Sequence, residues 1–261
     1  MQGFTSFDFS YGDLTRKVYK LGEDDKPAVL ILLELPGMTK HTVELARRLH
    51  RDGYTVYLPL LFGKPNSPFS VGKNILRICI QKEFNLLAQH KPSLVTEWLR
   101  ALSRKMQRMS GGSVGAIGMC FTGGFVLSLM IDDAIAAPVM SQPFLVGNPF
   151  ITKGKISLGL PQAEIKQAEK RSKTENIPVL GFRFTRDMIF CTKSSFDAVE
   201  EILGENFIRY EIDNSLFNQY KIPLHAHSVL TIDYNDAPGH PTRKAYERLV
   251  EFFRDRLSAC E

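Results

Sequence analysis

The chain has 261 residues, of which 44% are apolar and 23% are charged, and its formal net charge is +5. These values are near the average of globular proteins, so the chain can bury a full core. The positive charge is mild and mostly spread out, which gives little support for a nucleic-acid or other acidic partner. The one dense basic run, "KQAEKRSK", has helical spacing and interleaved Glu, which predicts a solvated helix face.

The cysteines and the N-terminal residues indicate the cellular compartment of the protein. The four cysteines are Cys79, Cys120, Cys191 and Cys260. They form no C-x-x-C pair, so neither a zinc site nor a thioredoxin-like site is indicated. A chain this long and poor in cysteine does not indicate a disulfide framework either. The opening "MQGFTSFDFSYGD" lacks the basic start and apolar run of a signal peptide. The uncharged stretch from Met109 to Ile131 could span a bilayer, but its Gly and Ser predict strand, turn and helix instead. We therefore expect a cytoplasmic protein without a membrane partner.

Strands and helices alternate along the chain. The first segment, "FTSFDFSYGDLTRKVYKLG", alternates around a Tyr-Gly-Asp turn and predicts an antiparallel hairpin. Further strands are predicted at "AVLILLEL", "YTVYLPL", "SVGAIGM", "AIAAPVM", "IPVLGFRF" and "NFIRYEI". Helices are predicted at "TKHTVELARRLHRDG", 71–87, 92–106, "TGGFVLSLMI", the basic run before Thr174, "SSFDAVEEIL" and 241–257. This order predicts an α/β fold, with a mostly parallel central sheet and helices on both faces. Because no linker or repeat interrupts it, we expect one domain over residues 1–261.

Candidate site residues follow from the position of each strand end. In open α/β sheets the active groups collect at the carboxyl ends of the strands. That rule selects Glu34, the Gly118–Gly124 turn, Asp187, and the loop that holds His225 and His227. Glu34 draws attention by itself, because a carboxylate at the end of an apolar strand needs a partner.

The strongest local signal is "GAIGMCFTGGF". A strand runs into Gly118, Cys120 follows, and Gly123 and Gly124 open a helix. This is the context of a nucleophile elbow, a tight turn that exposes the nucleophile above the sheet. The helix N-terminus favours the thiolate form of a cysteine. The alternative is a buried structural cysteine on a Gly-rich turn.

The remaining candidates are judged by their place relative to the strands. "GGSVG" matches the serine-hydrolase pattern G-x-S-x-G, but Ser113 precedes its strand, so we interpret it as a turn residue. Asp187 lies just past a strand and could orient a histidine. His227 lies between the last strand and the last helix, and His225 beside it stays open as an alternative. The order Cys120, Asp187, His227 repeats the nucleophile, acid and base order of α/β-hydrolases.

With these residues identified, the chain resembles the dienelactone hydrolase family, a thiol-using branch of the α/β-hydrolases. The shared marks are "LLELPG", "GYTVYLPLLFG", "GAIGMCFTGG", "PVLGFRFTRD" and "AHSVLT", which extend the resemblance from the "AVLILLELPGM" strand to the C-terminal helix. The resemblance implies an α/β-hydrolase fold and the hydrolysis of an ester, lactone or thioester. It implies Cys120 as the nucleophile, with Asp187 and His227 completing a triad.

The resemblance also assigns roles around the nucleophile. It implies that Glu34 contacts the resting thiol of Cys120. It implies that the backbone N–H groups of Leu35 and Phe121 hold the oxyanion. Such chemistry needs no metal or organic cofactor, and the sequence holds no G-x-G-x-x-G, P-loop or H-E-x-x-H motif that would indicate one.

Two positions depart from the family pattern. The elbow of the family has Gly two residues after the nucleophile, where this chain has Thr122, so we expect a slightly more open elbow. The family prototype binds its substrate carboxylate with arginines, whereas the residue four past His227 is Thr231. Lys73 or Arg77 could supply a positive charge instead. The missing arginine argues against dienelactone itself as the substrate more than against the chemistry.

Two other functions fit the same residues. The chain could be a non-catalytic hydrolase scaffold that binds a ligand or a partner protein, and then Cys120 would not become acylated. It could also be a redox-sensing thiol protein, with Cys191 near Asp187 as the resolving cysteine. That function predicts a disulfide between Cys120 and Cys191 under peroxide.

Overall fold

The computed structural model describes residues 1–35, 37–63, 65, 94–144 and 160–257. In that part of the chain, eight strands form one sheet in the order β1-β2-β4-β3-β5-β6-β7-β8. The strands are β1 (Thr5–Tyr11), β2 (Leu14–Leu21), β3 (Ala28–Leu32), β4 (Thr55–Pro59), β5 (Val114–Met119), β6 (Ile135–Ser141), β7 (Val179–Phe184) and β8 (Phe207–Ile212). From β4 to β8 across the sheet every neighbouring pair is parallel. The predicted α/β fold with a mostly parallel sheet is confirmed.

The predicted N-terminal hairpin is also confirmed. β1 and β2 pair antiparallel with Tyr11 opposite Leu14, which leaves only Gly12 and Asp13 in the turn. Gly12 has a φ of +56°, the left-handed conformation that tight hairpin turns need. β2 then pairs antiparallel with β4, so the hairpin extends one side of the parallel sheet.

Helices lie between the strands as the sequence predicts. They are α1 (Lys40–Arg51), α2 (Leu94–Ser110), α3 (Phe125–Leu129), α4 (Gln162–Thr174), α5 (Lys193–Leu203) and α6 (Pro241–Arg256). Local capping fixes where some of them begin: α1 starts after Thr39, whose hydroxyl accepts the N–H of Thr42. The helix predicted over 71–87 lies outside the described residues. Every helix within the described ranges is too short or too polar to cross a membrane.

The centre of the sheet explains why the strand ends form a site. All residues of β3, β4 and β5 are buried, so these strands are covered on both faces, as continuous apolar runs predict. Parallel strands present their carboxyl ends at one edge. The residues that follow β3, β5, β6 and β7 therefore gather there: Glu34, Cys120, Gln142 and Asp187.

Candidate active site

The register between β3 and β5 brings the first candidates together. Leu32 pairs with Gly118 in parallel. Glu34 lies two residues after Leu32, and Cys120 lies two residues after Gly118. The next residue is Leu35 after Glu34 and Phe121 after Cys120. The expected acid, nucleophile and oxyanion donors thus follow neighbouring strand ends.

Cys120 occupies a sharp turn directly after β5. Its φ is +50°, a left-handed conformation that a non-glycine residue adopts only at a cost. The turn is also closely packed: a Cβ on Gly118 would lie 2.5 Å from the carbonyl oxygen of Thr122, and one on Gly123 would lie 2.5 Å from Cβ of Pro143. Only glycine fits at these two positions. The geometry is that of a nucleophile elbow.

Thr122 is accommodated in this elbow through its hydroxyl group. The side chain is fully buried, and its Oγ1 accepts the N–H of Met119 at 3.0 Å. The same oxygen lies 2.9 Å from the Met119 carbonyl and 3.3 Å from the Leu32 carbonyl, to either of which it can donate. These hydrogen bonds hold the elbow against the end of β3. The sequence predicted a more open turn at this position.

Asp187 and His227 form a direct pair. His227 Nδ1 lies 2.5 Å from Asp187 Oδ2. The loop of the histidine is held from the other side, because Asp233 Oδ2 accepts the backbone N–H groups of both His227 and Ser228 at 2.8 Å. Burial would raise the pKa of Asp187, but the hydrogen bond and charge of His227 and two backbone N–H groups outweigh it and leave that pKa lowered. An ionised Asp187 accepts the Nδ1 proton and fixes the ring.

The electrostatics make His227 a strong base. Burial would lower its pKa, but the contacts with Asp187 and Cys120 raise it to about 10. Nε2 is buried and has no hydrogen-bond partner of normal geometry among the described residues. Its contact with Cys120 is therefore looser than the hydrogen bond between Nδ1 and Asp187. Loose contacts of this kind are common in sites without substrate. His227 can therefore hold a proton taken from Cys120.

Glu34 is the centre of a buried hydrogen-bond network. Its carboxylate accepts from the hydroxyl of Thr231, from Ser228 Oγ at 2.9 Å and from Gln142 Nε2 at 3.1 Å. Burial raises the pKa of Glu34, while these hydrogen bonds and the charge of His227 oppose that rise. The hydrogen bonds join Glu34 to the loop of His227. Its expected contact with the Cys120 thiol stays a prediction.

Some members of this arrangement were not found from sequence. Gln142 is buried at a φ of +37°, and its Oε1 accepts the N–H of Val229 at 3.3 Å while Nε2 donates to Glu34. It directly follows β6, so the rule of strand ends would have selected it. Asp233 and Ser228 carry no such signal, because they lie in a loop without regular structure.

Other candidates lie apart from this cluster. Ser113 precedes β5, so the six residues of that strand separate it from Cys120 by about 20 Å at about 3.3 Å per residue. His225 is exposed, and Asp187 pairs with His227 instead. Lys73 and Arg77 lie outside the described residues. Across the described residues, no three His, Cys, Asp or Glu side chains are grouped so that they could hold a metal ion.

Comparison with known proteins identifies the family. The model of the dienelactone hydrolase family matches residues 17–257, whereas no curated protein matches the chain. Among solved structures, a dienelactone hydrolase from Anabaena variabilis has 16% identity and a TM-score of 0.58, with 98% of this chain and 100% of that chain covered. A dienelactone hydrolase-like promiscuous phosphotriesterase from metagenomic libraries has 15% identity and a TM-score of 0.61, with 98% of both chains covered. The structural matches establish the fold, and the match of the family model to nearly the whole sequence shows that this chain belongs to the dienelactone hydrolase family.

Proposed function

We propose that the protein hydrolyses a carboxylic ester, lactone or thioester through an acyl-thiol intermediate on Cys120. The observation that carries this proposal is the placement of His227, which is paired with Asp187 at Nδ1 and stands next to Cys120 on its left-handed turn. A nucleophile beside a base that a third group orients is the pattern of covalent catalysis.

The reaction proceeds in two balanced halves. The proton of Cys120 passes to His227, and the sulfur attacks the carbonyl carbon. His227 then gives that proton to the departing alcohol or thiol as the bond to the leaving group breaks. Water attacks the acyl-cysteine with His227 as base, which releases the carboxylic acid and restores the thiol. The backbone N–H groups of Leu35 and Phe121 stabilise the oxyanion in both halves, a role supported by the register of β3 and β5.

The direct test is a panel of aryl esters, lactones and thioesters with the wild-type protein. We expect turnover of at least one class, and a mass increase on Cys120 that equals the acyl group when the reaction is quenched early. If no substrate is turned over and Cys120 gains no acyl group, the chain is a binding scaffold of the hydrolase fold.

The redox alternative receives less support from the surroundings of Cys191. This thiol is fully buried, and burial together with the charge of Asp187 raises its pKa well above the usual range. Thiolate is the form that reacts with peroxides and disulfides. Cys191 is therefore a poor resolving cysteine.

We propose one α/β-hydrolase domain over residues 1–261, acting on a small molecule in the cytoplasm. The one sheet that the described residues form supports the single domain. The free state of Cys120 and Cys191 agrees with a reducing compartment.

Thr231 leads to a prediction about substrate charge. It is buried and its hydroxyl donates to Glu34, so it offers no positive charge to a substrate carboxylate. We expect a neutral ester to have a higher kcat/KM than a lactone of matched size that carries a carboxylate. A clear preference for the anionic lactone contradicts this prediction and directs attention to Lys73 and Arg77, whose substitution by Ala would then lower that preference.

Glu34→Gln tests the acid through the pH dependence of stability. The pKa of Glu34 is raised above its ordinary value of 4.5 in the folded protein, so the unfolded chain ionises first as the pH rises. The free energy of unfolding of the wild type therefore falls from about pH 4.5 upward, until Glu34 also ionises in the folded state. The Gln variant lacks this loss. The measurement is chemical denaturation of both proteins between pH 4 and pH 8.

The Gln side chain suits the site because the Thr231 hydroxyl can turn to accept its amide N–H, while its oxygen still accepts from Ser228 and Gln142. Glu44→Gln on the exposed face of α1 is the matched control and should leave the pH dependence unchanged. Parallel stability curves for the wild type and Glu34→Gln would contradict the prediction. Alkylation of Cys120 measured over the same pH range tests the separate role at the thiol, for which we expect a shifted profile in the variant.

A further inference from the structure

Three apolar residues stand exposed directly after the triad acid. Met188, Ile189 and Phe190, the apolar triplet, have 70%, 76% and 44% of their surfaces exposed. Most large apolar side chains in the described residues are buried, so an exposed run of three calls for an explanation. The triplet contains no charge, and it begins one residue past Asp187.

The position of Phe190 is fixed by the carboxylate that also fixes the catalytic base. Asp187 Oδ1 accepts the backbone N–H of Phe190 at 3.0 Å, while Oδ2 takes Nδ1 of His227. The ring of Phe190 consequently lies against the imidazole, with ring centroids 5.1 Å apart. Phe144 also packs against the Phe190 ring, with centroids 5.9 Å apart. The exposed part of the ring is thus held in place beside the base.

The chemistry of the proposed reaction determines what passes that ring. His227 must protonate the oxygen of the departing alcohol, so that oxygen lies next to the imidazole when the bond breaks. The substituent on that oxygen then extends past the imidazole and not toward the acyl side of Cys120. Among the described residues, Phe190 has its aromatic ring packed on His227, so such a substituent meets this ring as it leaves.

Resting on the proposed function, the geometry points to Phe190 as a specificity-determining residue that selects esters with an uncharged, apolar alcohol part. The ring contacts the leaving group and not the acyl group. Each methylene that leaves water against the ring raises kcat/KM by up to about fourfold.

The test uses two ester series with the full-length protein. One series holds the acetyl group constant and lengthens the alcohol, from methyl to butyl and hexyl acetate. The other holds the methyl alcohol constant and lengthens the acyl group. All acetates form the same acetyl-cysteine, so kcat/KM reports the step in which the alcohol departs, whereas deacylation does not depend on the alcohol.

We expect Phe190→Ala to lower the ratio of kcat/KM for hexyl acetate over methyl acetate by about tenfold, because hexyl loses far more contact with the ring than methyl does. The backbone N–H that Asp187 accepts survives this substitution, so the triad stays intact. Phe190→Leu keeps an apolar side chain and should retain most of the ratio. Phe217→Ala is the matched control, because Phe217 is 96% exposed and its ring packs against little.

Three results would overturn the inference. An equal loss on every acetate assigns Phe190 a structural role only, and wild-type kcat/KM values on every acetate assign it no role. A loss along the acyl series alone puts the ring on the wrong side of the bond. A wild-type protein that turns over no ester, lactone or thioester is a different outcome, because it overturns the proposed function itself and the inference with it.

Discussion

Cys120→Ala is expected to lower ester hydrolysis by at least about a thousandfold, the size of loss seen when a member of a catalytic triad is removed. The side chain is the only thiol at the elbow, and without it no acyl-enzyme can form. The variant should fold, because alanine tolerates the same turn and the elbow keeps the hydroxyl bonds of Thr122. The measurement is kcat/KM on the best ester of the panel, with the melting temperature as a check of folding.

Ser113→Ala is the matched control for this experiment. Ser113 lies in a match to the serine-hydrolase pattern G-x-S-x-G, but it is at the opposite end of β5 from Cys120. We therefore expect Ser113→Ala to turn over the ester at the wild-type rate. Iodoacetamide should inactivate the wild type in step with the labelling of Cys120. Full activity of Cys120→Ala on every ester would rule out the thiol mechanism, and loss of turnover in a folded Ser113→Ala protein would indicate the serine instead.

His227→Ala is expected to reduce kcat by about a thousandfold or more. The substitution removes the group that takes the proton from Cys120 and returns it to the leaving group. It also leaves the buried Asp187 without its partner at Oδ2, so a lower melting temperature is expected as well. Steady-state kinetics and a thermal melt of the same preparation separate the two effects.

His225→Ala provides the comparison, since His225 is two residues away and exposed. We expect its kcat to stay within a fewfold of the wild type. The reverse ranking of the two histidine variants would mean that the pair with Asp187 is not the catalytic one. Equal losses in both would indicate that the loop, and not one imidazole, is being damaged.

The fold was predictable because its signals are local. Alternation around Gly12 predicts the hairpin, and the continuous apolar runs of β3 and β5 predict strands covered on both faces. The elbow was predictable for the same reason: Gly118, Cys120 and Gly123 lie within six residues, and the close packing there admits no side chain at either glycine.

The contacts that hold the histidine loop could not be predicted in this way. Glu34 meets Gln142 and Ser228 across 108 and 194 positions of sequence. No periodicity or spacing connects residues so far apart, and only the order of the strands brings them together. The sequence indicated that Glu34 needs a partner, but the resemblance suggested the thiol, whereas the hydrogen bonds in the structure come from two hydroxyls and an amide.

The effect of Thr122, where the family has glycine, could not be predicted from sequence either. From sequence we expected extra bulk to open the elbow. The structure buries that side chain and uses its hydroxyl to bond Met119 and Leu32. Whether a polar side chain disrupts a tight turn or stabilises it depends on acceptors that the neighbouring strand supplies, and these are known only once the sheet is assembled.

The left-handed backbone of Cys120 has a consequence for thermal engineering of this enzyme. A side chain in that conformation costs about 1 kcal/mol or more relative to glycine, out of the roughly 5–15 kcal/mol that keep a typical domain folded. Glycine at 120 would therefore rank among the stabilising substitutions in any screen for heat resistance alone. Under the proposed thiol mechanism, a library selected only by survival at high temperature accumulates inactive proteins at this position. Selection on turnover after heating would keep the cysteine and yield stabilising substitutions in other parts of the chain.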